Sequence, residues 1–156
     1  MMHDAQLLIR DATSDDHAFL VDCAAAMALE TEHKQLDPAR LAHGVRTLLA
    51  QPARGFYLIA ERASTRIGTL MVTYEWSDWR GGDFCWIQSV YVLPEARRGG
   101  VYRALHAATQ ARARNAGAVG LRLYVEQDNT HAQRTYAALG MQRTTYAMFE
   151  QEFTAQ

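Results

Sequence analysis

The stretch with the most chemistry runs from Val90 to Leu105, reading Val-Tyr-Val-Leu-Pro-Glu-Ala-Arg-Arg-Gly-Gly-Val-Tyr-Arg-Ala-Leu. An apolar run gives way to a loop with Arg97, Arg98, Gly99 and Gly100, and the loop opens directly into a helical pattern. The first turn of a helix leaves backbone N–H groups without intrahelical partners. No Ser, Thr or Asp stands at this start to cap them. Glycine lets a ligand approach those groups closely, and the helix dipole adds to the charge of Arg97, Arg98 and Arg103. A pyrophosphate fits this chemistry; a glycine loop with a solvated arginine pair fits the spacing equally well. Two better-known phosphate loops are absent. GxxxxGK[ST] needs a lysine, and the only one is Lys34, while Gly99-Gly100-Val101 does not supply GxGxxG.

The elements that must position this loop alternate in type. Residues 6–10 suit a first strand, Ser14 offers an N-cap, and Phe19, Leu20, Cys23 and Met27 recur at helical spacing to about Glu32. Pro38 suits the first turn of a second helix with Leu41, Val45, Leu48 and Leu49 on its face. Residues 56–61 and 67–76 read as strands around a tight polar turn, and residues 84–93 form a nearly continuous apolar strand ended by Pro94. A helix over 100–115 is stopped by Gly117, a buried strand covers 119–125, and a short helix over 129–139 is stopped by Gly140. Residues 142–153 read as a final strand or hairpin. Two helices, an antiparallel run and a right-handed strand–helix–strand crossover make a mixed α/β sheet.

Composition bounds the partners. The 156 residues predict one domain, residues 1–156, and 16 basic against 17 acidic side chains leave a net charge of −1. That balance argues against nucleic acid or an anionic membrane as a partner recruited by overall basicity. It conceals an uneven distribution, since residues 96–125 carry six arginines and no Asp or Glu. Two cysteines, Cys23 and Cys85, make no disulfide framework, and no Cys/His spacing suggests zinc, so no metal is expected. No signal peptide or membrane span is legible, and a cytoplasmic protein is the expectation.

The segment Arg97–Arg98–Gly99–Gly100–Val101–Tyr102 resembles the [R/Q]-x-x-G-x-[G/A] signature of the GNAT superfamily of N-acetyltransferases, with Tyr102 where Gly or Ala is usual. A second segment is similar to that family's N-x-x-A-x-x-x-Y-x-x-x-G-[FM] pattern, with Asn129, Ala132, Tyr136, Gly140 and Met141 filling every position. The resemblance covers residue 54 to the C-terminus in element order. It implies a GNAT-like fold: a mostly antiparallel twisted sheet of six to seven strands, splayed at its centre by a bulge and flanked by about four helices. It also implies acetyl-CoA as donor and a primary amine, on a small molecule or a peptide, as acceptor. In that frame Val90, Tyr91 and Val92 bind the pantetheine arm, Arg97 to Arg103 hold the pyrophosphate, and Asn129 helps hold the pantetheine. Tyr136 is then the acid that protonates the leaving thiolate; a core tyrosine bonded to a carbonyl is the alternative.

The base stays open. An alkyl amine of pKa about 10.4 costs about 4.6 kcal/mol to deprotonate at pH 7, so a lysine-like acceptor needs a base or a proton wire. Many family members use a glutamate on the central strand, but residues 84–90 hold no carboxylate. Glu75, Glu126 and a water held by Gln88 or Ser89 are the candidates. Because of that gap and Tyr102, a CoA-binding regulatory module without catalysis is a rival reading. An acyltransferase using a longer acyl-CoA or a hydroxyl acceptor is another. His106 and His131 read as solvated helix residues and Glu30 and Glu32 as a solvated helix end; of Trp76, Trp79 and Trp86, which could wall a cleft, Trp86 reads as core and Trp79, in a loop between Asp78 and Arg80, is the better cleft candidate. A strand at 144–153 would allow a homodimer.

Overall fold

The computed structural model describes residues 5–153. By internal contacts the chain divides into two compact units, one ending at Tyr124 and one beginning at Val125. The first holds strands β1 (Leu7–Asp11), β2 (Gly55–Arg62), β3 (Thr65–Ser77), β4 (Gly82–Val92) and β5 (Gly120–Arg122), with helices α1 (His17–Glu32), α2 (Pro38–Ala50) and α3 (Val101–Asn115). The second holds α4 (Thr130–Ala138).

The sheet is a single layer in the order β1-β2-β3-β4-β5, antiparallel except for the β4–β5 pair. The β4–α3–β5 crossover therefore joins parallel strands, as the pattern predicts. Alternation sorts the side chains onto two faces. Leu58, Leu70, Val72, Cys85 and Ile87 pack with Val101, Leu105 and Ala113 of α3 on one face. On the other, Ile59 packs with Leu20 of α1 and Val45 of α2.

A buried ion cluster locks the start of α1 to the sheet. Asp16 is 0% exposed and accepts from Arg10 Nη1 and Nη2 at 2.8 and 2.9 Å, Arg66 Nε at 2.6 Å and the Thr13 N–H at 2.7 Å. Together these donors hold its carboxyl well below the usual carboxylate range, the Arg10 hydrogen bonds contributing most. Thr13, not Ser14, is the cap here: it forms a capping box with Asp16 over a short 3-10 turn that leads into α1.

Two expectations need correction. Among the described residues the sheet has five strands rather than six or seven, because residues 142–153 form no ladder and β5 is only three residues long. Thr, Tyr and Phe favour a strand only where an edge pairs with them. Here Tyr146, Met148, Phe149 and Phe153 are exposed. His106 is 3% exposed rather than solvated, because it extends the buried stripe of α3 formed by Val101, Leu105, Thr109 and Ala113.

Candidate active site

The pairing of β3 with β4 slips by one residue at the middle of the sheet. Met71 faces Ser89 while Val72 faces Ile87, so Gln88 is the extra residue of a bulge in β4. Beyond it β4 loses its other neighbour, since β5 pairs only with Phe84, Cys85 and Trp86. The edge of β4 from Gln88 to Val92 is therefore open on the β5 side.

Register decides which backbone groups point there. The Leu93 N–H donates to the Ile67 carbonyl at 2.9 Å, which makes 93/67 a hydrogen-bonded pair. Stepping back by two, Tyr91 and Ser89 also direct their backbone groups to β3. Val90 and Val92, lying between them, direct theirs to the open edge. The Val92 carbonyl takes the Arg97 Nε at 3.0 Å. Of the three residues expected to bind an extended arm, Val90 and Val92 thus offer backbone, whereas Tyr91 offers its side chain to the opposite face.

The loop after β4 leads into α3 through two left-handed residues. Arg98 has φ +66° and Gly100, the N-cap of α3, has φ +77° with no side-chain cap. A Cβ at Gly100 would meet nothing within 4 Å, so its glycine answers the left-handed backbone rather than crowding. The N–H groups of the first turn of α3 stand ready for an anion, with Arg98 and Arg103 exposed beside them. Val101 is buried and Tyr102 half-buried on that turn, so side chains there anchor the helix to the sheet. Tyr102 lies against His106, ring centroids 6.3 Å apart.

Arg97 is disposed differently. Its Nη2 donates to Glu30 Oε2 at 2.9 Å, and the Tyr91 hydroxyl donates to Glu30 Oε1 at 2.7 Å. Glu30 is exposed, as a solvated helix end would be, and it also bridges the end of α1 to the end of β4. The Tyr91 hydroxyl and then the Arg97 guanidinium keep its carboxyl below its ordinary range. Nothing in the spacing of residues 30, 91 and 97 signals this contact.

Of the base candidates in this unit, Glu75 is engaged: Arg122 Nη1 donates to its Oε1 at 2.5 Å and lies over the Phe84 ring at 3.8 Å. Gln88 donates to the Thr73 hydroxyl at 2.8 Å on the same sheet face. Both cysteines are buried, and burial pushes the Cys23 thiol up to about 12. Trp79 and Trp76 are exposed, and Trp86 is half-buried against Tyr124 at 6.2 Å between centroids. Among the described residues no cluster of three or more His, Cys, Asp or Glu is set to hold a metal. None of the described helices is long and apolar enough to cross a membrane.

In the second unit, the Asn129 Oδ1 accepts from the Ala132 N–H at 3.1 Å and caps α4. Tyr136 is half-buried on the helix face shared with Ala132 and Leu139. Glu126 is exposed, and its carbonyl accepts from Gln133 Nε2 at 3.0 Å. His131 is exposed, as expected.

An open sheet edge beside a bulge thus runs into a helix start with no side-chain cap. The chain belongs to the GNAT acetyltransferase family, whose model matches residues 15–141. It is 32% identical over 149 residues to a mycothiol acetyltransferase of Sanguibacter keddieii; the match covers 84% of this chain and 41% of that protein. The chain thus spans about two fifths of the length of that curated relative. Among solved structures, a possible acetyltransferase from Clostridium difficile is 39% identical with a TM-score of 0.89, covering 96% of this chain and 99% of the other. An aminoglycoside N-acetyltransferase, AAC(6′)-Iy, solved with CoA, is 19% identical with a TM-score of 0.76 and 95% coverage of both chains, and shares the fold.

Proposed function

We propose that this chain transfers the acetyl group of acetyl-CoA to a primary amine by direct attack on the thioester. The observation that carries the reading is the coincidence of the open β4 edge at Val90 and Val92 with the uncapped α3 start. These residues fit the donor. Val90 and Val92 would pair with the amide-rich pantetheine arm as with an added strand. The N–H groups from Gly100 onward, with Arg98 and Arg103, would take the diphosphate. By the resemblance to the family pattern, Asn129 would help hold the pantetheine.

The chemistry asks little of the enzyme beyond position and protons. The Val90 N–H polarises the thioester carbonyl and stabilises its developing charge. Tyr136 donates a proton to the thiolate that leaves. A neutral amine attacks, and its surplus proton passes to water held at Ser89 and Gln88, since Glu75 is committed to Arg122. Such a wire suits an amine of lowered pKa better than an alkyl ammonium of pKa about 10.4. Free-thiol release across a library of amines tests the reading. Turnover restricted to weakly basic amines is the expected result.

The engagement of Glu75 by Arg122 favours one alternative, a CoA-binding module without catalysis. CoA binding with no thiol release on any amine would select it.

A further inference from the structure

Arg62 ends β2, thirty-seven residues before Gly99, yet its side chain crosses to the phosphate loop. Its Nη2 donates to the Gly99 carbonyl at 3.3 Å. Nη1 and Nη2 lie 3.4 and 3.8 Å from where a Cβ on Gly99 would sit, so the guanidinium rests on the bare α-carbon of that residue. The Arg62 Nε is buried and has no hydrogen-bond partner among the described residues. The guanidinium so placed stands one residue ahead of a helix start with no side-chain cap, and adds a full positive charge beside its unpaired backbone N–H groups.

In its observed position Arg97 is turned to protein partners instead. Both its side-chain bonds are to protein, one to the Val92 carbonyl and one to the Glu30 carboxylate that neutralises it. We propose that Arg62 is the third diphosphate-binding arginine of the donor site, beside Arg98 and Arg103, and takes the place that the signature assigns to Arg97. The proposal rests on the acetyl-CoA reading above.

Calorimetric titration of wild type, Arg62→Met and Arg97→Met with CoA, dephospho-CoA and pantetheine tests this. Dephospho-CoA keeps the diphosphate and lacks the 3′-phosphate; pantetheine lacks every phosphate. Arg62→Met should weaken CoA and dephospho-CoA alike by about tenfold, the size of a lost charge-assisted contact. Pantetheine should bind as to wild type, and Arg97→Met should change CoA affinity by less than about threefold. An equal loss for pantetheine would show a purely architectural role, and a loss for CoA alone would move the contact to the 3′-phosphate. Either result overturns the proposal, as does unchanged CoA affinity. If Arg62→Met does not fold, Arg62→Gln, which keeps a side-chain amide donor, is read by the same pattern. A wild type that binds no CoA refutes the donor reading itself, a different failure from the loss of selectivity among these ligands.

Discussion

Val90→Pro isolates one backbone donor. Proline removes the N–H and fixes φ near −65°, which a central strand ordinarily cannot accept. At Val90 the register sends that N–H away from β3 and toward an edge that β5 does not cover. No ladder bond is therefore lost, and the cost is the local backbone adjustment, about 1 to 3 kcal/mol. For a chain of this size that lowers Tm by about 3 to 10 °C. Removing a single donor to a developing oxyanion costs about 100-fold or more in kcat. The expected variant is thus folded and still binds CoA through the α3 start, with kcat reduced by about 100-fold. Tyr91→Pro is the matched control, because the Tyr91 N–H faces Thr69 on β3 and its loss leaves a ladder carbonyl unpaired. Thermal melts and thiol-release kinetics on both variants suffice. A folded Val90→Pro with wild-type kcat would refute the role of that N–H. A Val90→Pro that unfolds while Tyr91→Pro folds would refute the register assignment itself.

Asp16→Asn should cost about 3 kcal/mol, the lower end for breaking a buried pair because Arg10 and Arg66 are partly exposed. The folded carboxyl is held below its unfolded value of about 3.9, so its contribution is full above that pH and lost as pH falls below it; wild type and variant should converge in acid melts. Replacing Arg98 and Arg103 together by alanine should raise the KM for acetyl-CoA by about tenfold or more and leave that for the amine unchanged, as steady-state kinetics will report. Tyr136→Phe should lower kcat by about 100-fold without altering either KM; an unchanged kcat removes the acid from Tyr136.

Local chemistry was the legible part of this molecule. The Val90–Leu105 stretch announced a strand, a loop and an uncapped helix, and all three stand where the residues imply. Gly117, with φ +76°, ends α3 as its position suggests. What escaped was the pairing of polar side chains over long separations. Glu30 with Tyr91 and Arg97, Arg62 with Gly99, and Glu75 with Arg122 each join elements far apart in the chain, and no periodicity encodes them. His106 escaped for a subtler reason: it borders an apolar stripe, and a polar residue type masks its burial. The apolar β-forming composition of residues 142–153 was misleading because it describes a capacity to pair and not a partner.

The extra residue at Gln88 reverses a parity. Before it, odd-numbered side chains of β4, Cys85 and Ile87, meet α3; after it, the even-numbered Val90 and Val92 take over that face while Tyr91 turns to Glu30. Each half of β4 thus supplies the α3 face from a different set of positions. The inversion makes Gln88 a residue whose deletion is worse than any substitution there. Without it the strand must choose one phase throughout, and either Cys85 and Ile87 or Val90 and Val92 leave the α3 face. Substitutions at this position should be tolerated in the fold, whereas a one-residue deletion would abolish it.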